Sequence, residues 1–141
     1  MYIIEYIYYT SLYIYIYITC YMTLQWKDKL FDFALLDDKN SYDIIVHATK
    51  ATFPQLTTAN IINIKDNDGQ TTLMINCIHC ESTELVNFML SNGADLQLTT
   101  NNGKGIFDFI KLNQHGINKQ LLDVIGTKYL QTDEVMVPLN L

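Results

Sequence analysis

Two pairs of glycines recur in phase through the later half of this chain: Gly103 follows Gly69 by 34 residues, and Gly126 follows Gly93 by 33. Glycine marks places where the backbone turns or takes a positive φ, and unrelated turns would rarely fall into such register. A recurrence of this length belongs to stacked supersecondary units, each too small to bury its own apolar face and completed by packing on the next. The chain has 141 residues and 16.3 kDa, which makes one domain with one modest core the expectation.

The first unit opens with Asp66-Asn67-Asp68-Gly69-Gln70-Thr71-Thr72-Leu73, runs through an apolar helix, and closes with Glu84-Leu85-Val86-Asn87-Phe88-Met89-Leu90-Ser91-Asn92-Gly93-Ala94-Asp95. Asp66 to Gly69 is turn chemistry, and Thr71 can cap the inner helix. Ser82 or Thr83 can cap the outer helix, with Glu81 and Glu84 favourable at its positive end. Asn92-Gly93 reads as a left-handed C-terminal cap. Leu73, Ile75, Cys77 and Ile78 are then expected to pack against Leu85, Val86, Met89 and Leu90. In the second unit Thr100 to Gly103 replaces Asp66 to Gly69, Ile106, Phe107, Phe109 and Ile110 form an inner helix, and Leu121, Leu122, Val124 and Ile125 an outer one closed at Gly126.

This order of residues resembles the ankyrin repeat, whose pattern runs D-x-x-G-x-T-P-L, inner helix, outer helix ending L-L-x-x-G-A-D, and hairpin, with a period of about 33 residues. Asp66, Gly69, Thr71, Leu73, Leu90, Gly93, Ala94 and Asp95 match in order; Thr72 stands where proline is usual, and one extra residue separates Gly69 from Gly93. The second unit is degenerate, with Gly105 in the threonine position and Thr127-Lys128 in place of Ala94-Asp95. The resemblance implies an all-α fold, a short ankyrin-type helical solenoid of stacked helix-turn-helix repeats with β-hairpin-like loops. Two units lie at the lower limit for such a stack, so a piece of a longer array is an alternative.

Ahead of the repeats, Leu30, Phe31, Phe33, Ala34 and Leu35 give one apolar helical face, and Tyr42, Ile44, Ile45, Ala48 and Ala51 a second. Asp37 to Asn40 is a polar break, so Trp26 to Ala51 reads as an antiparallel helix pair covering the N-terminal end of the stack. Asn40 or Ser41 can cap its second helix, and Phe53-Pro54 ends it. Gln55 to Ile64 reads as a loop with a short extended piece at Asn60 to Ile64. The division is therefore residues 1–25, a Tyr/Ile-rich segment; 26–132, the repeat domain; and 133–141, a fraying tail.

The head differs in kind from the body. Residues 1–24 hold 19 apolar residues and eight of the ten tyrosines, with Glu5 the only charge. Tyr6 to Leu24 is uncharged over 19 residues, near the about 20 that span a bilayer as a helix, and Trp26, Lys27 and Lys29 sit where interfacial anchors would. Its period of 2 and mid-span tyrosines count against a membrane helix, so a low-complexity tract without settled function and a strand stand beside the anchor.

Composition narrows the function. The net charge is −6, the pI about 4.8, and all nine basic residues are lysine, which disfavours a nucleic-acid surface and removes the bidentate guanidinium fork. Cys77-Ile78-His79-Cys80 places two sulfurs on one helical side, but Cys20, His47 and His115 supply no second close pair for zinc. Haem attachment fails at Glu81, a calcium loop at Thr71 and Cys77, and a P-loop at Gly103-Lys104-Gly105. Three cysteines without an even framework fit a reducing compartment.

The expectation is a non-catalytic protein-protein interaction module, a scaffold or adaptor in the cytoplasm that needs no cofactor, no metal and no small-molecule substrate. The resemblance implies binding through hairpin tips and the concave inner-helix face: Asn67, Asp68, Gln70, Asn101, Asn102 and Lys104 on the tips, with Met74, Asn76, His79, Asp108 and Lys111 on the helices. The acidic balance favours a basic partner. A membrane-tethered adaptor using residues 6–24, and a thiol or metal protein using Cys77 and Cys80, are the alternatives.

Overall fold

A computed structural model of the chain describes residues 10–14 and 25–134. Residues 10–14 are helical. From there the elements are α1 (25–35), α2 (Lys39–Thr52), α3 (Thr58–Ile62), α4 (Thr72–His79), α5 (Glu84–Ser91), α6 (Ile106–Ile110) and α7 (Asn118–Glu134). The all-α expectation holds for the described residues. Their one β-like feature is an isolated antiparallel bridge between Lys65 and Thr71.

The helices associate in pairs, α1 with α2, α4 with α5 and α6 with α7, and the pairs lie side by side. Leu30 and Ala34 of α1 and Tyr42 and Val46 of α2 are buried, and Trp26 at the start of α1 meets Phe53 just past α2 at 6.5 Å, the arrangement of an antiparallel hairpin. Its turn is tight because Asp37 takes the left-handed conformation, φ 55°. Asp38 caps α2: its carboxylate accepts from the Ser41 amide at 3.1 Å and hydroxyl at 2.7 Å. Ser41 is thus the donor to the cap and not, as the sequence had pointed to, the cap itself. These bonds stabilise the ionised carboxylate and hold the Asp38 pKa below its ordinary value. Leu35 and Ile44, expected on the buried faces, are exposed, because Leu35 lies one helical step beyond Ala34 and Ile44, two residues from both Tyr42 and Val46, falls on the opposite side of α2.

Asn60 to Ile62, the first part of the expected extended piece at Asn60 to Ile64, lie instead in the helix α3, which Asn63 ends. Thr57 and Asn60 form a reciprocal capping box, each side chain accepting from the other's backbone amide at 3.1 Å, and this offsets the cost of so short a helix. Ile61 and Ile62 are its buried anchors.

In the next pair Thr71 caps α4 by accepting from the Met74 amide, as its position predicts. Thr83 precedes α5 without a side-chain cap, and Ser82 Oγ accepts from the Glu84 amide at 3.4 Å instead. α5 ends in a Schellman motif: Ala94 N donates to Met89 O, Gly93 N to Leu90 O, and Gly93 has φ 97°. Gly126 does not repeat this. It lies inside α7, which runs on to Glu134 because no turn residue precedes the glycine and the apolar spacing continues through Tyr129, whose ring meets Phe107 edge-on at 5.2 Å.

α4 is the shared centre, packing on α5 within its pair and on α6 in the next. Its C-terminal end is tied on both sides. Asp37 accepts from Asn76 Nδ2 at 3.0 Å and from the Glu81 amide at 3.0 Å, while Asn76 Nδ2 also donates to Ala34 O at 2.9 Å. From the other side Asn113 Nδ2 donates to the carbonyls of Cys77 at 2.8 Å and Cys80 at 3.1 Å, and Asn113 Oδ1 accepts from the amides of His115 and Ile117. One amide thereby satisfies two of the carbonyls a helix end leaves open and shapes the α6–α7 turn.

None of the helices among the described residues is long and apolar enough to cross a membrane. The anchor considered for residues 6–24 falls outside them, apart from 10–14.

Asn113→Ala is expected to cost about 3 kcal/mol by urea denaturation, since the bonds of its side chain to Cys77, Cys80, His115 and Ile117 vanish and half-buried groups lose partners. Gly126→Ala is expected to stabilise by about 0.5–1 kcal/mol, because a Cβ there meets nothing within 4 Å and helical glycine is unfavourable.

Candidate functional site

The loops before α4 and α6 form two neighbouring tips built to one plan. In the first, Asp66 Oδ1 accepts from the amides of Asp68 and Gln70, and the chain closes through Asp66 N to Gln70 O and Gly69 N to Asp66 O. In the second, Thr100 N donates to Lys104 O, Gly103 N to Thr100 O, and the Thr100 hydroxyl accepts from the Lys104 amide at 3.2 Å. Thr100 thus performs for the amide four residues on the task that Asp66 performs for Gln70, which explains how the second tip keeps its turn without an aspartate.

The tips are also joined to each other. Asn101 N donates to Asp68 O at 3.0 Å, Asn101 Nδ2 to Asn67 O at 2.9 Å, and Lys65 Nζ to Thr99 O at 3.0 Å. This approach leaves no room at Gly69: a Cβ there would stand 2.7 Å from both the amide nitrogen and Oδ1 of Asn101, and φ is 81°. At Gly103 φ is 78°, but nothing lies within 4 Å of a Cβ.

Between the tips and the helices behind them is a groove of about 570 Å³. Asp68, Gln70, Thr100, Asn102 and Lys104 come from the tips, Ile78 from α4, Asp108 and Phe109 from α6, and Lys111 and Leu112 from the turn after α6. Two aspartates and two lysines surround apolar side chains, so the groove offers opposite charges beside a hydrophobic floor. Asp108 is partly engaged, its Oδ2 accepting from the Gly105 amide at the start of α6.

Of the residues expected to bind, Asp68, Gln70, Asn102, Lys104, Asp108 and Lys111 line this groove. Asn67 and Asn101 are exposed but join the tips. Two assignments need correction: Met74 is 2% exposed and Asn76 fully buried, so neither presents a surface to a partner. Met74 folds back under the cap, its sulfur accepting from Thr71 N, and Asn76 points at the α1–α2 turn. His79 is half-buried and outside the groove lining. Ile78, Phe109 and Leu112 also line the groove but stand outside the expected binding set, because apolar residues on a helix read first as core. α6 is only five residues long, and its early end exposes Leu112.

Compared with known proteins, the chain matches no family model, no curated protein and no solved structure.

Cys77 and Cys80 are free thiols in the core. Burial, then the charge of Asp37, pushes the Cys80 pKa up to about 11, and burial, then Cys80, raises that of Cys77 well above its ordinary value. Thiols so placed are weak nucleophiles near neutral pH. Among the described residues no three His, Cys, Asp or Glu side chains are gathered to hold a metal ion.

Because Gly69 is constrained by both φ and contact while Gly103 is constrained by φ alone, the two alanine variants should differ. Gly103→Ala is expected to cost about 1 kcal/mol and Gly69→Ala at least about 2 kcal/mol in urea denaturation. Equal costs would mean that the tips are not joined as described.

Proposed function

We propose that the chain is a protein-binding module of the ankyrin-repeat type, an adaptor or scaffold without catalytic activity, which takes its partner in the groove between the tips and α4 and α6. The observation that carries this reading is the bonding of successive tips at the repeat period: Lys65 to Thr99 and Asn67 to Asn101 are each 34 residues apart. The side-by-side helix pairs and the Asp66 to Asp95 motif support it further. The short α6 and the uninterrupted α7 depart from the repeat pattern and make the last unit a closing one, consistent with its exposed polar residues Lys111, Lys119 and Asp123.

The partner is a protein segment with an apolar side chain for Ile78, Phe109 and Leu112 and charges matched to Asp68, Lys104 and Lys111. The net charge of −6 favours a partner that is basic overall. The two buried free thiols favour a reducing, cytoplasmic setting.

Affinity capture with the full chain, followed by partner identification, supplies the ligand for the test. Lys104→Glu with Lys111→Glu is expected to weaken binding of that ligand at least about tenfold while leaving the helical circular dichroism unchanged. A control reversal at Asp123, on α7 and outside the groove, should leave affinity unchanged. Undiminished binding by the double variant, with or without an effect at Asp123, would place the interaction elsewhere and overturn the assignment.

A further inference from the structure

The sequence contains two Asn-Gly pairs, Asn92-Gly93 and Asn102-Gly103, and the fold treats them differently. We propose that Asn102 is a site of spontaneous covalent modification, converting to aspartate and isoaspartate at the lip of the groove, while Asn92 is held back by its surroundings. The inference does not depend on what the groove binds.

The chemistry needs only water. The Gly103 backbone nitrogen gives up its proton to solvent base and attacks Cγ of Asn102; a C–N bond closes a succinimide, the bond from Cγ to the side-chain nitrogen breaks, and ammonia leaves. Water then adds to one of the two imide carbonyls. Cleavage at the side-chain carbonyl gives aspartate, and cleavage at the backbone carbonyl gives isoaspartate, with the main chain rerouted through Cβ. No oxidation or reduction occurs. Glycine as the following residue favours the attack because it has no side chain to crowd the nitrogen, a reason the Asn-Gly pair is chemically labile.

Reaction requires the asparagine side chain to swing onto the next nitrogen, and the backbone between them to adjust. At Asn92 both motions are restrained. Its Nδ2 donates to Phe88 O at 2.7 Å, Gly93 O accepts from Asn63 Nδ2 at 2.9 Å, and Asn63 Oδ1 accepts in turn from Asp95 N at 2.8 Å. Ala59 Cβ also lies 2.9 Å from the place of a Gly93 Cβ. At Asn102 the side chain is exposed, no hydrogen bond among the described residues holds it, and Gly103 has open space around it. Both glycine nitrogens donate within their turns, Gly103 to Thr100 O at 2.9 Å and Gly93 to Leu90 O at 3.5 Å, so the backbone bond does not favour Asn102. The selectivity comes from the side chain and from the restraint around Gly93.

The change is not neutral for the site. Asn102 lies 34 residues after Asp68, so conversion gives the second tip the Asp-Gly that the first already has, and it adds a carboxylate to a rim that holds Asp68 and Lys104. The isoaspartate product lengthens the main chain within the turn closed by Thr100 and Lys104. Slow modification at this tip thereby alters the charge and the shape of the groove together.

The test is peptide mapping by mass spectrometry, with enzymatic methylation of isoaspartate as a second readout, on the full chain aged at mildly alkaline pH both folded and in urea. In urea the two pairs should convert at similar rates. In the folded chain Asn102 should convert at least about tenfold faster than Asn92, whose side chain and neighbours must first open locally. If Asn92 keeps pace with Asn102 in the folded chain, or if folding slows Asn102 as much as Asn92, the proposal is wrong.

Discussion

The end of α4 is where the separate helix pairs become one body. A helix of eight residues is far too short to persist alone, and its last carbonyls and the amide after it need partners that its own turns cannot give. Those partners come from opposite neighbours: Asp37 in the α1–α2 turn takes Asn76 and the Glu81 amide, and Asn113 after α6 gives its amide to Cys77 and Cys80. Each neighbour depends on the bond as well. Asp37 holds a left-handed backbone that costs energy outside this setting, and Asn113 shapes the turn that sends the chain into α7.

The groove follows from this stacking. With α4 and α6 side by side, the loops that precede them come close enough for Asn101 to bond the first tip, and the fit is so tight that only glycine can occupy position 69. The rim charges then sit on backbone held by these bonds, and Ile78, Phe109 and Leu112 form a floor between them. A groove built this way is largely preformed, and on the proposed reading that lowers the ordering cost its partner must offset.

Much of this was legible in the residues because it is local. Thr71 before α4, Gly69, Gly93 and Gly103 at positive φ, and Pro54 after α2 act within a few residues of themselves, and the tip residues Asp68, Gln70, Asn102 and Lys104 follow from the turns. The Thr57–Asn60 box is equally local, but the Asn60 to Ile64 run looks strand-like, and only the structure shows Ile61 and Ile62 as the buried anchors of a short capped helix. Asn76 could not be read, since its partner at Asp37 is 39 residues away and a polar residue on an inner helix looks like surface. Gly126 misled for a related reason: spacing matched that of Gly93, but a glycine ends a helix only when the following chain leaves it, and α7 has Tyr129 to bury against Phe107. The sequence motif of the first unit therefore carries over to the second in its turn and not in its closing helix.

If α4 joins the stack as described, its amides can open only when the stack as a whole does. Native-state hydrogen exchange of the full chain under increasing urea tests this directly. The account predicts that the amides of Ile75 to Cys80 are among the slowest in the chain and exchange with the free energy of global unfolding. Exchange of α4 through a cheaper, local opening while α2 and α7 stay protected would contradict it.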